Sequence, residues 1–228
     1  MRSRTGLLLL ILLWVGPVVA DLLGLKSSDL EWARARWGGS AVIRLHQWDQ
    51  LTESLRNKNE REQVDAVNRF VDRIPYISDQ EHWHQEDYWA TPLEMIGSNG
   101  GDCEDYAIAK YFTLLSLGVP VSRLRITYVE ALQLNQAHMV LAYYPQPGQE
   151  PLILDSLVNR ILPASQRPDL VPVYSFNSEG MWVSGGQGGD GAPVNDGSGL
   201  DKWQDVLHRM QGQPGFRGVN NSRAVSGP

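Results

Sequence analysis

Cys103–Leu117 is the segment that most limits the folds open to this chain. Ala107, Ile108, Tyr111, Phe112, Leu114 and Leu115 wrap much of its circumference at helical spacing. A helix that is apolar nearly all round has to lie inside a protein. Gly118 and Pro120 mark its end. Its start is the run Asn99-Gly100-Gly101-Asp102-Cys103-Glu104-Asp105-Tyr106. The two glycines allow positive φ and a tight turn. Asp102 is the N-cap, with Asp105 three residues later as the returning acid of a capping box. The pattern after the helix changes to strands. Leu124–Val129, Ala137–Tyr144 and Leu152–Asp155 are rich in β-formers, and Pro145-Gln146-Pro147-Gly148 is the turn between the last two. The expected class is α+β: a central helix packed on an antiparallel sheet.

Cys103 is the only cysteine in the chain. A thiol in the first turn of a helix meets the positive end of the helix dipole, which favours thiolate. Asp102, Glu104 and Asp105 push the other way, because neighbouring negative charge raises a thiol pKa. Either the acids only cap the helix, or something cationic neutralises them. A small buried cysteine beside capping acids is the plainest reading of these residues alone.

Met1–Ala20 reads as a secretory leader: Arg2 and Arg4, an apolar stretch Leu7–Val15, a Gly16-Pro17 break and the small residues Val18-Val19-Ala20. The apolar run is short for a membrane span. Export changes what a single cysteine means, since exported domains usually pair their thiols and this chain has no second one. The 228 residues, 42% hydrophobic and 20% charged, suit one domain at 21–184 with appended segments. Net charge is −6, and removal of residues 1–20 takes two arginines and no acids, giving −8. Such a balance does not indicate a nucleic-acid footprint.

Ahead of the cysteine turn the pattern is scaffold. A short helix is expected around Leu30-Glu31-Trp32 and a longer one over Val42–Leu55. Asn59-Glu60-Arg61-Glu62 is a capping box for a helix carrying Val64, Val67, Val71 and Ile74 up to Pro75. Ile77–Ala90 is a polar, aromatic loop, and its His82-x-His84 pair lacks a third ligand for a metal site. Thr91-Pro92-Leu93-Glu94 opens a short helix that delivers the chain to the cysteine turn, so Trp89 is expected to wall the site. At the far end, 185–199 reads as a Gly-rich linker, 200–210 as a helix with Leu200, Trp203, Leu207 and Met210 on one stripe, and 211–228 as disordered.

The two later strands allow a geometric commitment. An antiparallel hairpin with Tyr144 opposite Gln149 places His138 opposite Asp155, on one face, with Cβ atoms roughly 4.5–5.5 Å apart. Cys103, His138 and Asp155 then form a set of nucleophile, base and orienter.

Gly100-Gly101-Asp102-Cys103-Glu104-Asp105-Tyr106, preceded by Asp87-Tyr88-Trp89-Ala90-Thr91-Pro92, closely resembles the bacterial transglutaminase-like cysteine peptidases. Ala137-His138-Met139-Val140-Leu141 and Leu154-Asp155-Ser156 match the histidine and aspartate blocks of that family, and the resemblance spans about residues 30–184. It implies a papain-like, transglutaminase-like core with Cys103, His138 and Asp155 catalytic. The leader and length are most similar to the family's periplasmic protease of biofilm dispersal. That likeness implies calcium dependence and cleavage of a large surface adhesin near its N-terminal retention module, at a di-alanine site. It also implies an inner-membrane cyclic-di-GMP receptor that sequesters the protease. Calcium at Asp102, Glu104 and Asp105 would resolve the conflict around the thiol, with plain helix capping as the alternative. Three classes remain open from sequence: an endopeptidase, an acyltransferase using the same triad, and an inactive calcium-dependent binding module.

Overall fold

The computed structural model describes residues 25–184, 193–195 and 200–212. The leader at 1–20 lies outside them, as do residues 213–228. Six helices come first: α1 (Ser27–Trp37), α2 (Gly39–Leu55), α3 (Glu60–Val71), α4 (Asp79–His82), α5 (Pro92–Ser98) and α6 (Cys103–Ser116). Strands β1 (Leu124–Ala131), β2 (Gln136–Tyr143), β3 (Leu152–Leu154), β4 (Leu162–Pro163), β5 (Leu170–Phe176), β6 (Met181–Val183) and β7 (Pro193–Asn195) follow, and then α7 (Asp201–Gly212). The class is α+β, as the sequence indicates. Part of the expected linker, Pro193–Asn195, is therefore a strand paired with β6, and the last helix runs to Gly212 instead of stopping at Met210. Among the described residues no helix is long and apolar enough to cross a membrane.

The helix starts follow local chemistry. Asn59 accepts from the Glu62 N–H at 3.0 Å while Glu62 accepts from the Asn59 N–H, fixing α3. Thr91 and Glu94 do the same for α5, with Pro92 at its first position. Helix α3 stops at Val71, three residues before the expected Ile74, and a turn carries Ile74 to Pro75.

The sheet runs β4-β3-β2-β1-β5-β6-β7 with every neighbouring pair antiparallel. Helix α6 lies across it. Met139, Leu141 and Tyr143 of β2 join the large core with α6, while Val140 and Ala142 pack with Val129 and Ile153 in a second, smaller cluster. On its other side α6 meets α2, where Trp48 Nε1 donates to Thr113 Oγ1 at 3.0 Å. Beyond its first turn this helix also buries a charge: Lys110 is buried and ion-paired with buried Asp72 at 2.6 Å. Two buried charges need each other, because a lone one is costly. Helix α7 docks on the same core through Trp203, whose ring lies 5.5 Å from Phe112 and 5.3 Å from Phe176.

The β2–β3 register corrects the expected one. Leu141 faces Leu154 and Tyr143 faces Leu152, so the pairing is displaced by two residues and Asp155 follows the last paired position. A two-residue displacement preserves the face, since the side-chain period is two. His138 and Asp155 therefore still share a side, as diagonal neighbours that an imidazole can bridge.

Candidate active site

The turn before α6 is held by close approach. Asn99, with φ 66°, takes the left-handed conformation expected of the glycines, which do not have positive φ. A Cβ on Gly100 would fall 2.7 Å from the His82 ring, and one on Gly101 2.5 Å from Asp105 Oδ2. Asp105 is fully buried; its oxygens accept from the Ala90 N–H at 2.6 Å and the Asp102 N–H at 3.3 Å. Ile77 N–H donates to Gly101 O at 2.9 Å, and Tyr76 pairs alongside with its ring stacked on Tyr106. Cys103 thus sits at the first position of a helix whose entry is clamped from three sides.

His138 Nε2 lies 2.7 Å from Asp155 Oδ1, and both side chains are buried. Burial by itself would raise the Asp155 carboxyl; hydrogen bonds from His138 and Leu157 and the neighbouring Arg167 outweigh it and hold the group down at about 2. The carboxylate is thus ionised, so Nε2 is the donor and Nδ1 remains as the basic nitrogen. Cys103, Glu104, Ala137, His138 and Met139 line one cleft of about 460 Å³ with Trp89, Tyr128 and Tyr174. Trp89 walls it as expected, stacked 5.8 Å from Phe176. The start of α7 completes the rim through Leu200, Asp201 and Lys202, and Lys202 Nζ pairs with Asp87 at 2.8 Å. His82 bonds Ser98 at 2.7 Å and belongs to the scaffold.

The acids around the thiol are more numerous than the sequence suggested. Asp102, Glu104 and Asp105 are joined by Asp79, at the start of α4, and by Asp87. Asp79, Asp102 and Asp105 form one group with carboxylate oxygens within 4.8 Å of one another, and Asp79, Asp87 and Glu104 another. Burial, then the charge of Glu104, pushes Asp102 up to about 8, while burial chiefly raises Asp79 to about 6. Burial also raises Glu104 and lifts Asp105 well above the ordinary range. The Cys103 thiol, raised by burial and then by Glu104, donates to Glu104 Oε2 at 3.0 Å. Asp79 Oδ1 and Asp102 Oδ1 are buried without a hydrogen-bond partner. Orphaned carboxylate oxygens beside mutually repelling acids fit a hard cation with oxygen ligands.

Sequence reading missed Asp79 and Asp87, and also Arg167, whose Nη2 lies 2.7 Å from Asp155 Oδ2. Asp79 opens the four-residue α4, and Asp87 and Arg167 sit in loops, where polar residues are common. Only the Ser78-Asp79 helix start offered a local signal, and that signal points to capping.

A protein-family model described as bacterial transglutaminase-like cysteine proteinase matches residues 45–188. The chain belongs to this family. Its members are cysteine peptidases, and the α+β arrangement above is the family's transglutaminase-like core. No curated protein matches the chain. Among solved structures, Legionella pneumophila LapG is 46% identical with TM-score 0.69, over 80% of this chain and 95% of that one. An EGTA-treated form of LapG gives TM-score 0.70 at 46% identity, over 80% and 95%. A calcium-bound form gives TM-score 0.69 at 44% identity, over 82% and 99%.

Proposed function

We propose that this cysteine peptidase is a calcium-dependent endopeptidase of the periplasm. It cleaves a large cell-surface adhesin near its N-terminus and so promotes biofilm release. The observation that carries the reading is that Cys103, His138 and Glu104 line one cleft, with Asp155 paired to His138 and a group of acids gathered around Glu104 and Asp102. The calcium-bound and EGTA-treated forms of LapG support the choice of metal.

In this reading His138 Nδ1 takes the thiol proton as the sulfur attacks the scissile carbonyl, and returns it to the leaving amine. Asp155 holds the imidazole with Nε2–H on its carboxylate and Nδ1 free for the thiol proton, and stabilises the imidazolium. The Cys103 backbone N–H, at the positive end of α6, donates to the developing oxyanion. Water then attacks the acyl-enzyme thioester with His138 as base, releasing the second product and the thiol. Asp102, Glu104 and Asp105, the expected ligands, would hold calcium together with Asp79, and Asp105 would also brace the turn through its two backbone bonds. Calcium bound there supplies positive charge that offsets the carboxylate field on the thiol. An inner-membrane cyclic-di-GMP receptor of the LapD type is the proposed regulator, and the residue 1–20 leader the proposed export signal.

Incubation of purified protein with the N-terminal region of a candidate adhesin tests the reading. Discrete fragments are expected with calcium, and none with EGTA or with Cys103→Ala. Cleavage at full rate in EGTA rules out the metal's part. Cross-linked or amine-labelled product without hydrolysis rules in acyl transfer instead.

A further inference from the structure

We propose that Arg167 is a positioning residue of this site, acting on His138 through Asp155. The proposal rests on the reading of Cys103, His138 and Asp155 as catalytic, and deepens it.

Asp155 has two oxygens with different partners. Oδ1 accepts from His138 Nε2 at 2.7 Å and from the Leu157 N–H at 3.0 Å. Oδ2 has no hydrogen-bond partner, and Arg167 Nη2 stands 2.7 Å from it. The terminal torsion of an aspartate is broad, so a carboxylate held through one oxygen can swing about its Cβ–Cγ bond. A guanidinium charge fixed at the second oxygen removes that freedom.

Arg167 is itself fixed. Its side chain is 4% exposed, and Asp169 grips it in a fork, with Nε–Oδ1 at 3.0 Å and Nη2–Oδ2 at 2.7 Å. Its backbone is tied on both sides: the Arg167 N–H donates to Ala164 O at 2.9 Å, and Arg167 O accepts from the Leu170 N–H at 3.1 Å. The order Asp169, Arg167, Asp155, His138 is thus a continuous chain of charge contacts ending on the imidazole. Two carboxylates share one guanidinium along it. One net negative charge therefore remains to stabilise the imidazolium formed when His138 takes a proton. Burial disfavours the charged guanidinium, but Asp169 and Asp155 reverse this and hold its pKa above the ordinary value.

Two readouts test the proposal on calcium-loaded protein. The first needs no substrate: the 15N shifts of His138 in histidine-labelled protein, assigned among the five histidines with His138→Gln. Wild type is expected as the Nε2–H tautomer, and Arg167→Met as a mixture. The second is cleavage of the adhesin N-terminal region. Arg167→Met is expected to lose kcat about 10- to 100-fold with KM within about twofold, and Arg167→Lys to recover most of it. Asp169→Asn, at a carboxylate 26% exposed, is expected to shift both readouts in the same direction by less, and serves if Arg167→Met does not fold. Unchanged His138 shifts together with kcat within about twofold of wild type overturn the proposal. Wild-type protein that cleaves nothing yet shows an Arg167-dependent His138 tautomer defeats the peptidase reading and leaves the positioning intact.

Discussion

Glu104 Oε2 accepts the Cys103 thiol hydrogen at 3.0 Å. The proposed nucleophile is therefore hydrogen-bonded, in its neutral form, to one of the acids proposed to bind the metal. A carboxylate in that place favours thiol over thiolate, and burial adds to it. Metal-free protein should react slowly with iodoacetamide at pH 7.5, and calcium should accelerate the reaction. Glu104→Gln removes the nearest negative charge and should raise the metal-free rate about tenfold, the effect of about one pKa unit. The same variant should lose most of the calcium acceleration. Equal alkylation rates for wild type in EGTA and in calcium would sink this account of the metal.

The acid cluster also fixes a direction of pH dependence. Asp79 and Asp102 have folded values of about 6 and about 8 against an ordinary 3.8. Both bind protons more tightly folded than unfolded, so their stabilising contribution is complete below the ordinary value and is lost as pH rises through the folded ones. Metal-free protein should show a Tm that falls from about pH 5 to about pH 8. Calcium replaces those protons, so binding should release protons and flatten the slope. Melting curves in EGTA and in calcium over that range decide it; a metal-free Tm that climbs with pH contradicts the cluster's electrostatics.

Local signals carried much of this site, and long-range ones did not. Asn59/Glu62 and Thr91/Glu94 announce two helix starts because capping is a three-residue effect. Cys103, His138 and Asp155 were legible because each lies in a strongly patterned segment. Strands β4 to β7 were not: β5 contains Pro172 at a register shift, and the others are two or three residues long. Asp79 reaches the cluster from 23 positions before Asp102, and Arg167 reaches Asp155 from beyond the two-residue β4, a stretch that no periodicity marks. The expected hairpin register was displaced by two, yet its consequence for His138 survived, because only an odd displacement exchanges the faces.

Asp155→Asn tests the proposed orienting role of Asp155 directly. An amide can present its NH₂ to Nε2, which favours the wrong imidazole tautomer, and it removes the negative charge beside the imidazolium. The expected loss is about 10²- to 10⁴-fold in kcat, with calcium affinity unchanged. Isothermal titration with calcium and steady-state kinetics separate the two effects. Calcium affinity that falls together with kcat would mean that Asp155 supports the acid cluster.

Trp203 ties α7 to the core. It is 1% exposed and packs on Tyr111, Phe112 and Phe176. Trp203→Ala should cost about 3–5 kcal/mol in urea unfolding. The helix start that it anchors carries Leu200 and Lys202 on the cleft rim, so KM should rise in the same variant while the metal-free alkylation rate of Cys103 stays near wild type. A loss below about 1 kcal/mol would show that α7 detaches without disturbing the domain.

Gly101→Ala strikes the turn without replacing any charged group. The added methyl would lie 2.5 Å from Asp105 Oδ2 and 2.8 Å from its Cβ, so Asp105 has to move. Asp105 cannot move freely, because the Ala90 and Asp102 N–H groups bond to it and are left unpaired if it does. The strain therefore passes to Asp102 and to the first turn of α6, where Cys103 is presented. Calcium affinity should fall by at least about tenfold, which is about 1.4 kcal/mol. Activity at saturating calcium should return only in part, since the helix entry stays displaced. Gly100→Ala is the control: its methyl meets His82 and Ile77, away from the acids, so it should cost stability with little change in calcium affinity. Equal calcium affinities for Gly101→Ala and wild type would show that Asp105 and its turn do not brace the metal site.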